Sequence, residues 1–115
     1  MANTFKQISK AGVTSSDVIY TVAGSTTTVV LGLIIGNTQS SAITVTLTIS
    51  TDTANRSGAN NEDNQPVELL TSTTIQANSS LELLSGNKIV LETTDVINLT
   101  ASAAADISIS VMEIT

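Results

Sequence analysis

The chain consists of short segments in which apolar and polar residues alternate, separated by clusters of Gly, Asn, Asp and Ser. The clearest is "AITVTLTIS" (42–50), where larger apolar residues occupy positions 43, 45, 47 and 49 and Thr or Ser fills 44, 46, 48 and 50. A period of two is typical of a strand with one buried and one solvated face. Repeated segments of this kind predict an all-β fold.

The predicted strands lie at 17–22, 26–37, 42–50, 67–75, 79–84, 87–92, 96–102 and 107–114. We therefore expect about seven to eight strands in an antiparallel β-sandwich, either immunoglobulin-like or jelly-roll. The short link "NTQSS" predicts that 26–37 and 42–50 form a hairpin. The predicted organisation is an N-terminal arm over 1–16 and a single β-sandwich domain over 17–115.

The most apolar stretch is "TVVLGLIIGN" (28–37). A strict period of two places its bulkier apolar residues on one face: Val29, Leu31, Leu33 and Ile35. The other face then carries Val30 and Ile34 beside two glycines, a narrow apolar stripe. Three coverings are open for this stripe: a neighbouring copy, the N-terminal arm, or nothing.

The last predicted strand changes phase near its end. Ile107, Ile109 and Val111 alternate with serines, and the alternation then slips at "MEI" (112–114). This slip predicts either a β-bulge or burial of both strand faces against a partner.

Composition narrows the possible partners. The chain has 115 residues, a net charge of -6 and only one Phe and one Tyr, so its core must be aliphatic. The cationic residues form no basic patch: Lys6, Lys10, Arg56 and Lys88. An acidic chain without such a patch predicts no nucleic-acid partner. The longest apolar run, 29–35, is too short to span a membrane, and "MANTFKQISK" lacks the apolar core of a secretory signal, so we predict no membrane partner and synthesis in a cytoplasm.

The chain lacks the usual catalytic residues. It contains no His and no Cys, which removes a Ser-His-Asp triad and any thiolate site. The adjacent acids Glu62 and Asp63 lie in the polar segment 51–66, which we interpret as a functional or a mobile loop. Its oxygen ligands do not follow EF-hand spacing, and Arg56 lies among them. The sequence predicts no enzyme, no cofactor and no metal site.

The N-terminal arm suggests a contact surface. Lys6 and Lys10 are half of the cations, and Phe5 and Ile8 are apolar residues without a strand pattern of their own. One hypothesis is that the arm docks on an acidic neighbour such as another copy, and the alternative is a frayed terminus. The candidate interface residues are Phe5, Lys6, Ile8, Val30 and Ile34.

Two long stretches carry a family resemblance: "TTTVVLGLIIGNTQSSAITVTLTI" and "NSSLELLSGNKIVLETTDVINLTASAAADISISVMEI". Over 17–115 their order and style resemble small structural proteins of tailed-bacteriophage virions. The resemblance implies a virion protein that acts by contact, most simply a capsid decoration (cement) protein, alternatively a neck or tail component. It also implies a homo-oligomer that binds the major capsid protein or other virion proteins. It brings no site residues.

A ligand- or carbohydrate-binding β-sandwich module is the alternative from another class, and the shortage of aromatic rings counts against it. An enzyme is a more distant alternative.

Overall fold

The computed structural model describes residues 2–51 and 66–115. These residues contain nine β-strands and no helix. The strands are β1 (Asn3–Val13), β2 (Asp17–Thr21), β3 (Thr27–Asn37), β4 (Ile43–Ser50), β5 (Pro66–Ile75), β6 (Ser80–Glu82), β7 (Ile89–Leu91), β8 (Val96–Ala101) and β9 (Ala105–Ile114). The polar loop predicted over 51–66, with its acids Glu62 and Asp63, lies almost entirely outside the described residues.

The strands form two antiparallel sheets packed face to face, which confirms the predicted all-β sandwich. In sheet A the order is β1-β9-β3, and β6 and β7 pair with the two ends of the far edge of β3. In sheet B the order is β2-β8-β4-β5. The chain crosses between the sheets at almost every connection, and only β4 and β5 form a hairpin within one sheet. With β6 and β7 sharing one strand position, this is the arrangement of an eight-stranded jelly roll.

The core is aliphatic, as the composition predicts. The four apolar positions of "AITVTLTIS" are buried in β4, and the alternate Thr and Ser residues face outward. The same period places Ile107, Ile109 and Val111 of β9 in the core. Tyr20 is the only ring among the buried residues.

The predicted hairpin between β3 and β4 is wrong, because the two strands belong to different sheets. Each strand buries one apolar face in the shared core, β3 from sheet A and β4 from sheet B. Asn37, at the corner between them, is 3% exposed. Its Nδ2 donates to the carbonyls of Ser41, Ile75 and Gln76 at 2.9–3.1 Å.

Residues 3–13, part of the predicted arm, form strand β1 at the edge of sheet A, in antiparallel register with β9. Ile8 is half-buried, Val13 is buried, and the other residues of the strand are exposed. An edge strand with so little buried surface has no apolar alternation, so its sequence carries no strand signal. Backbone pairing with β9 holds it instead.

The assignment of Val30 and Ile34 to one face is wrong. Leu31 is the extra residue of a β-bulge, because Val30 pairs with Val111 and Gly32 already pairs with Ser110. The bulge reverses the phase, so Val30 is 1% exposed in the core and Ile34 is 45% exposed on the outer face.

Strand β9, where a bulge or double burial was predicted, is regular in its pairing with β3 beyond that point. Its inward position after Val111 is taken by a carboxylate, Glu113, and Met112 faces outward beside Val29. The apparent phase slip was a polar residue in an inward position.

Candidate interaction surface

The outer face of sheet A carries a line of apolar side chains that crosses four strands. Phe5 pairs with Met112, Met112 with Val29, and Val29 with Val90, in β1, β9, β3 and β7. We call these four residues the apolar row. The row is most accessible at its two ends, where Phe5 is 71% and Val90 57% exposed.

A shallow groove lies on the same face, nearer the other end of β1 and β3. It has a volume of about 470 Å³ and is wide open to solvent. Its lining includes Ser9, Ala11, Ile34, Gly36, Asp106 and Ser108. The groove exists because most of its lining residues are small and no large side chain of this chain fills the space between them. Between groove and apolar row, the outward positions are Gln7, Ser110 and Gly32.

The outer face of sheet B is polar. Its outward residues are mainly Thr, Ser and Asn, and one row across it reads Val18, Asn98, Thr48 and Glu68. Val18 is 48% exposed, and no other large apolar residue projects from the centre of this face among the described strands. The two faces of the sandwich therefore differ in chemistry, and sheet A presents the face that is better suited to protein contacts.

The five residues predicted for an interface are separated by the fold. Phe5 and Ile34 lie on the outer face of sheet A, as an interface requires. Lys6 and Ile8 point from β1 toward the other side of the sheet, opposite Val111 and Ile109. Val30 is in the core and is not available to a partner.

Lys6 belongs to a polar network that joins the two sheets at one end of the sandwich. Its Nζ lies 2.9 Å from Oε1 of Glu113. The Tyr20 hydroxyl of sheet B donates to Oε2 of the same carboxylate at 2.6 Å and lies 2.7 Å from the hydroxyl of buried Thr28. Glu113 is therefore fixed by a cation and a phenol, and Tyr20 connects β2 with both β3 and β9.

The network shifts two pKa values in opposite directions. Burial, followed by the hydrogen bond to Glu113, raises the pKa of Tyr20 to about 12. The hydrogen bond from Tyr20, and then that from Lys6, lowers the pKa of Glu113 below its ordinary 4.5. The phenol is thereby kept neutral and the carboxylate charged. This arrangement stabilises structure and provides no free base.

Lys10 of β1 contacts two residues of β2. Its Nζ lies 3.1 Å from Oδ1 of Asp17 and 3.0 Å from the carbonyl oxygen of Val18. The acidic neighbours of Lys6 and Lys10 are thus residues of the same chain. Docking of this segment on another copy remains a hypothesis.

The alternation rule contains a signal for Glu113 that the sequence interpretation missed. Glu113 has the same parity as the buried Ile109 and Val111, which places a carboxylate inward on a core strand. Such a position requires partners. The sequence alone does not identify these partners, because Tyr20 and Lys6 are more than 90 residues away from Glu113.

Within 2–51 and 66–115, no group of three acidic residues is placed to hold a metal ion. Asp106 in the groove accepts a hydrogen bond from the Gly12 amide at 3.0 Å. No helix in this part of the chain has the length and apolarity that crossing a membrane requires.

Comparison with known proteins shows a likeness of fold. No family model and no curated protein matches the chain. Among solved structures, it is similar to a protein of the Bacillus endospore appendages, described as a novel family of disulfide-linked pili. The TM-score is 0.51 with 14% sequence identity, over 99% of this chain and 87% of that one. At this identity, the two chains share a β-sandwich fold, and the likeness carries no activity across.

Proposed function

We propose that this chain is a structural subunit of a multi-copy protein assembly and acts through contacts of its surface. The observation that carries the proposal is the apolar row, which lies on the outer face of sheet A, outside the core. An apolar line with Phe5 and Val90 exposed at its ends is costly in water and is removed from water by a partner.

The first candidate is a capsid decoration protein of a tailed bacteriophage, which bridges capsid subunits and stabilises the shell. Its support is the resemblance of 17–115 to small virion proteins, together with the lack of a catalytic or metal arrangement among the described residues. A neck or tail component is the alternative within this class. Assembly in a host cytoplasm and residence in the virion belong to the same proposal.

The test is the copy number of the chain in purified particles. A decoration protein is expected at a high, symmetry-related number and should raise the heat resistance of shells to which it is added. A neck or tail protein is expected at a few to some tens of copies and should be lost with the tail. Absence of the chain from particles would contradict both.

A subunit of an extracellular filament is the second candidate, and the likeness of fold to the pilus protein favours it. The sequence contains no cysteine, so a filament of this chain would require non-covalent contacts in place of disulfide links. Electron microscopy of the concentrated protein separates the candidates, since a filament subunit forms fibres without capsids and a decoration protein does not.

A ligand-binding module is supported only by the groove. Its open shape and lack of an aromatic lining are poor features for holding a small molecule. Native mass spectrometry of the protein after gentle purification should show the bare chain mass. A retained small molecule would support the module instead.

A further inference from the structure

We infer that two copies of this chain pack sheet A against sheet A about a two-fold axis, so that each Phe5 ring enters the groove of the other copy. This inference deepens the proposed structural function and rests on it. It names the occupant of the apolar face as a second copy of the chain.

The exposed ring is the first part of the argument. Phe5 is the single Phe of the chain, and it lies on the outer face with 71% of its surface exposed. The only other ring, Tyr20, is buried. Phe5 therefore contributes little to the core, and its ring is available as an anchor for a partner.

The groove is the second part. It has a volume of about 470 Å³ and is open to solvent, so a side chain of a second copy can reach it from outside. Ile34, 45% exposed, provides an apolar wall. Gly36 leaves the floor open, since a Cβ built on it would meet nothing closer than the Asp106 carbonyl oxygen at 4.0 Å. The space fits an aromatic side chain that enters from outside.

The register between ring and groove is the third part. Phe5 lies opposite Met112, and Ser9 of the groove lies opposite Ser108, about 13 Å further along β1. The row of Gln7, Ser110 and Gly32 lies midway. Consider a two-fold axis that lies between the two facing sheets and runs perpendicular to the strands at this midpoint. It places Phe5 of each copy over the Ser9 end of the other copy's groove.

The same axis matches the remaining side chains. It brings Val29 of one copy over Ile34 of the other, because these residues lie one row either side of the Gly32 row. Ser110 and Gly32 at the axis are small, while Gln7 in the same row and the partly exposed bulge residue Leu31 each meet their own counterparts. Every apolar contact is then made twice, as in an isologous dimer.

The placement of the outward carboxylates limits the repulsion between the two copies. The chain is acidic, so two copies repel unless their carboxylates stay apart. Two outward carboxylates within the described strands of sheet A are Glu82, in the row of Ile34, and Asp106, in the row of Gly36. The axis places Glu82 over the Val90 row and Asp106 over the row of Ile114. Neither of these two carboxylates meets its counterpart.

The test is sedimentation velocity of the purified full chain over a concentration series. We expect a monomer–dimer equilibrium. Phe5→Ala should raise the dissociation constant of the dimer by about tenfold or more. Gly36→Leu, which fills the groove and leaves Phe5 unchanged, should raise the dissociation constant by a similar factor. Val18→Ala, on the outer face of sheet B, is the matched control and should leave association unchanged. Denaturation midpoints would verify that every variant is folded.

A cysteine test locates the axis, because the native chain has no cysteine. Ser110→Cys should form a disulfide-linked dimer under mild oxidation, whereas Thr100→Cys, exposed on the outer face of sheet B, should not. A wild-type chain that is monomeric at every concentration, or a dimer insensitive to Phe5→Ala and Gly36→Leu, would overturn the inference.

The two proposals can fail separately. A monomeric chain found in particles or filaments at a regular copy number overturns the face-to-face dimer and leaves the structural function standing. A Phe5-dependent dimer that is absent from any assembly contradicts the function and leaves the dimer standing. If Phe5→Ala abolishes binding to another virion protein and the chain does not self-associate, the face belongs to that partner and the inference is wrong.

Discussion

The hydroxyl of Tyr20 lies 2.6 Å from Oε2 of Glu113 and links the edge strand of sheet B to the central strand β9 of sheet A. The two residues are 93 positions apart in the chain. A hydrogen bond to a charged acceptor is stronger than one between neutral groups. This contact therefore joins the two layers at the end of the sandwich where the first residues of β1 pair with the last residues of β9.

Tyr20→Phe keeps the ring in the core and removes only the hydroxyl. We expect the free energy of unfolding to fall by about 2 kcal/mol, because Glu113 and the buried Thr28 each lose a partner. Urea denaturation measures this change. Thr21→Val, at an exposed position next along β2, is the control and should alter stability little. An unchanged midpoint in Tyr20→Phe would mean that the bond contributes nothing.

The shifted pKa values predict both limbs of the pH–stability curve. Glu113 has a lower pKa in the folded state than in the unfolded one, so its stabilisation is complete above about 4.5 and is lost as the pH falls through the folded value. Tyr20 has a raised pKa, so its stabilisation is complete below 10 and is lost as the pH rises toward about 12. Denaturation across the pH range should show both losses.

The alkaline limb can be checked directly, since Tyr20 is the only Tyr and there is no Trp. Phenolate absorbance should titrate near 12 in the folded protein and near 10 in urea. Glu113→Gln should lower the folded value and flatten the acid limb. A folded titration near 10 would contradict the buried, hydrogen-bonded phenol.

Ile34→Asp and Val30→Asp are four residues apart in β3 and should have opposite consequences. Ile34→Asp, on the outer face, should cost about 1 kcal/mol or less and weaken association. Val30→Asp buries a carboxylate in the core and should prevent folding. Circular dichroism and sedimentation separate the two results. Equal loss of folding in both variants would show that no bulge divides the strand.

Deletion of residues 2–10 removes most of β1, its pairing with β9 and both lysine contacts. We expect Tm to fall by about 10 °C or more, since a loss near 2 kcal/mol moves a domain of this size by that amount. Lys10→Met, which removes a partly exposed ion pair with Asp17 and a hydrogen bond to the Val18 carbonyl, is the control and should change stability by less than about 1 kcal/mol. A frayed arm would instead leave Tm unchanged on deletion.

Asn37→Ala should destabilise the corner between β3 and β4 by about 3 kcal/mol, because buried carbonyls lose their donor. Asn37→Asp should be worse, since a carboxylate faces those same carbonyls and cannot donate to them. Urea midpoints at neutral pH give the order. A milder effect of Asp than of Ala would show that the Nδ2 contacts are unimportant.

The local pattern was enough for the strands whose alternate residues are buried. In β4 and β9 each inward position is filled by an apolar residue up to Val111, and the period of two is visible without any partner. The all-β class and the aliphatic core follow from the same pattern. Phe5 and Ile34 lie exposed on the outer face of sheet A, and the sequence pattern also places them outside the core.

The remaining features depend on residues distant in the chain. A short link cannot show whether its two strands pair or cross to opposite sheets, and the Asn37 corner favours crossing only once Ile75 is beside it. The bulge at Leu31 is a mismatch in length between β3 and β9, and it moved Val30 into the core. Strand β1 is held by its neighbour's backbone, which leaves no periodicity in its own side chains.

The apolar row has the same origin. Phe5, Met112, Val29 and Val90 come from four separate segments and become neighbours only through the register of three strand pairings. Side-chain periodicity is a property of one strand and reports which residues are buried. Register and sheet order arise from contacts between strands, so the surface that a partner can recognise exists only in the folded chain.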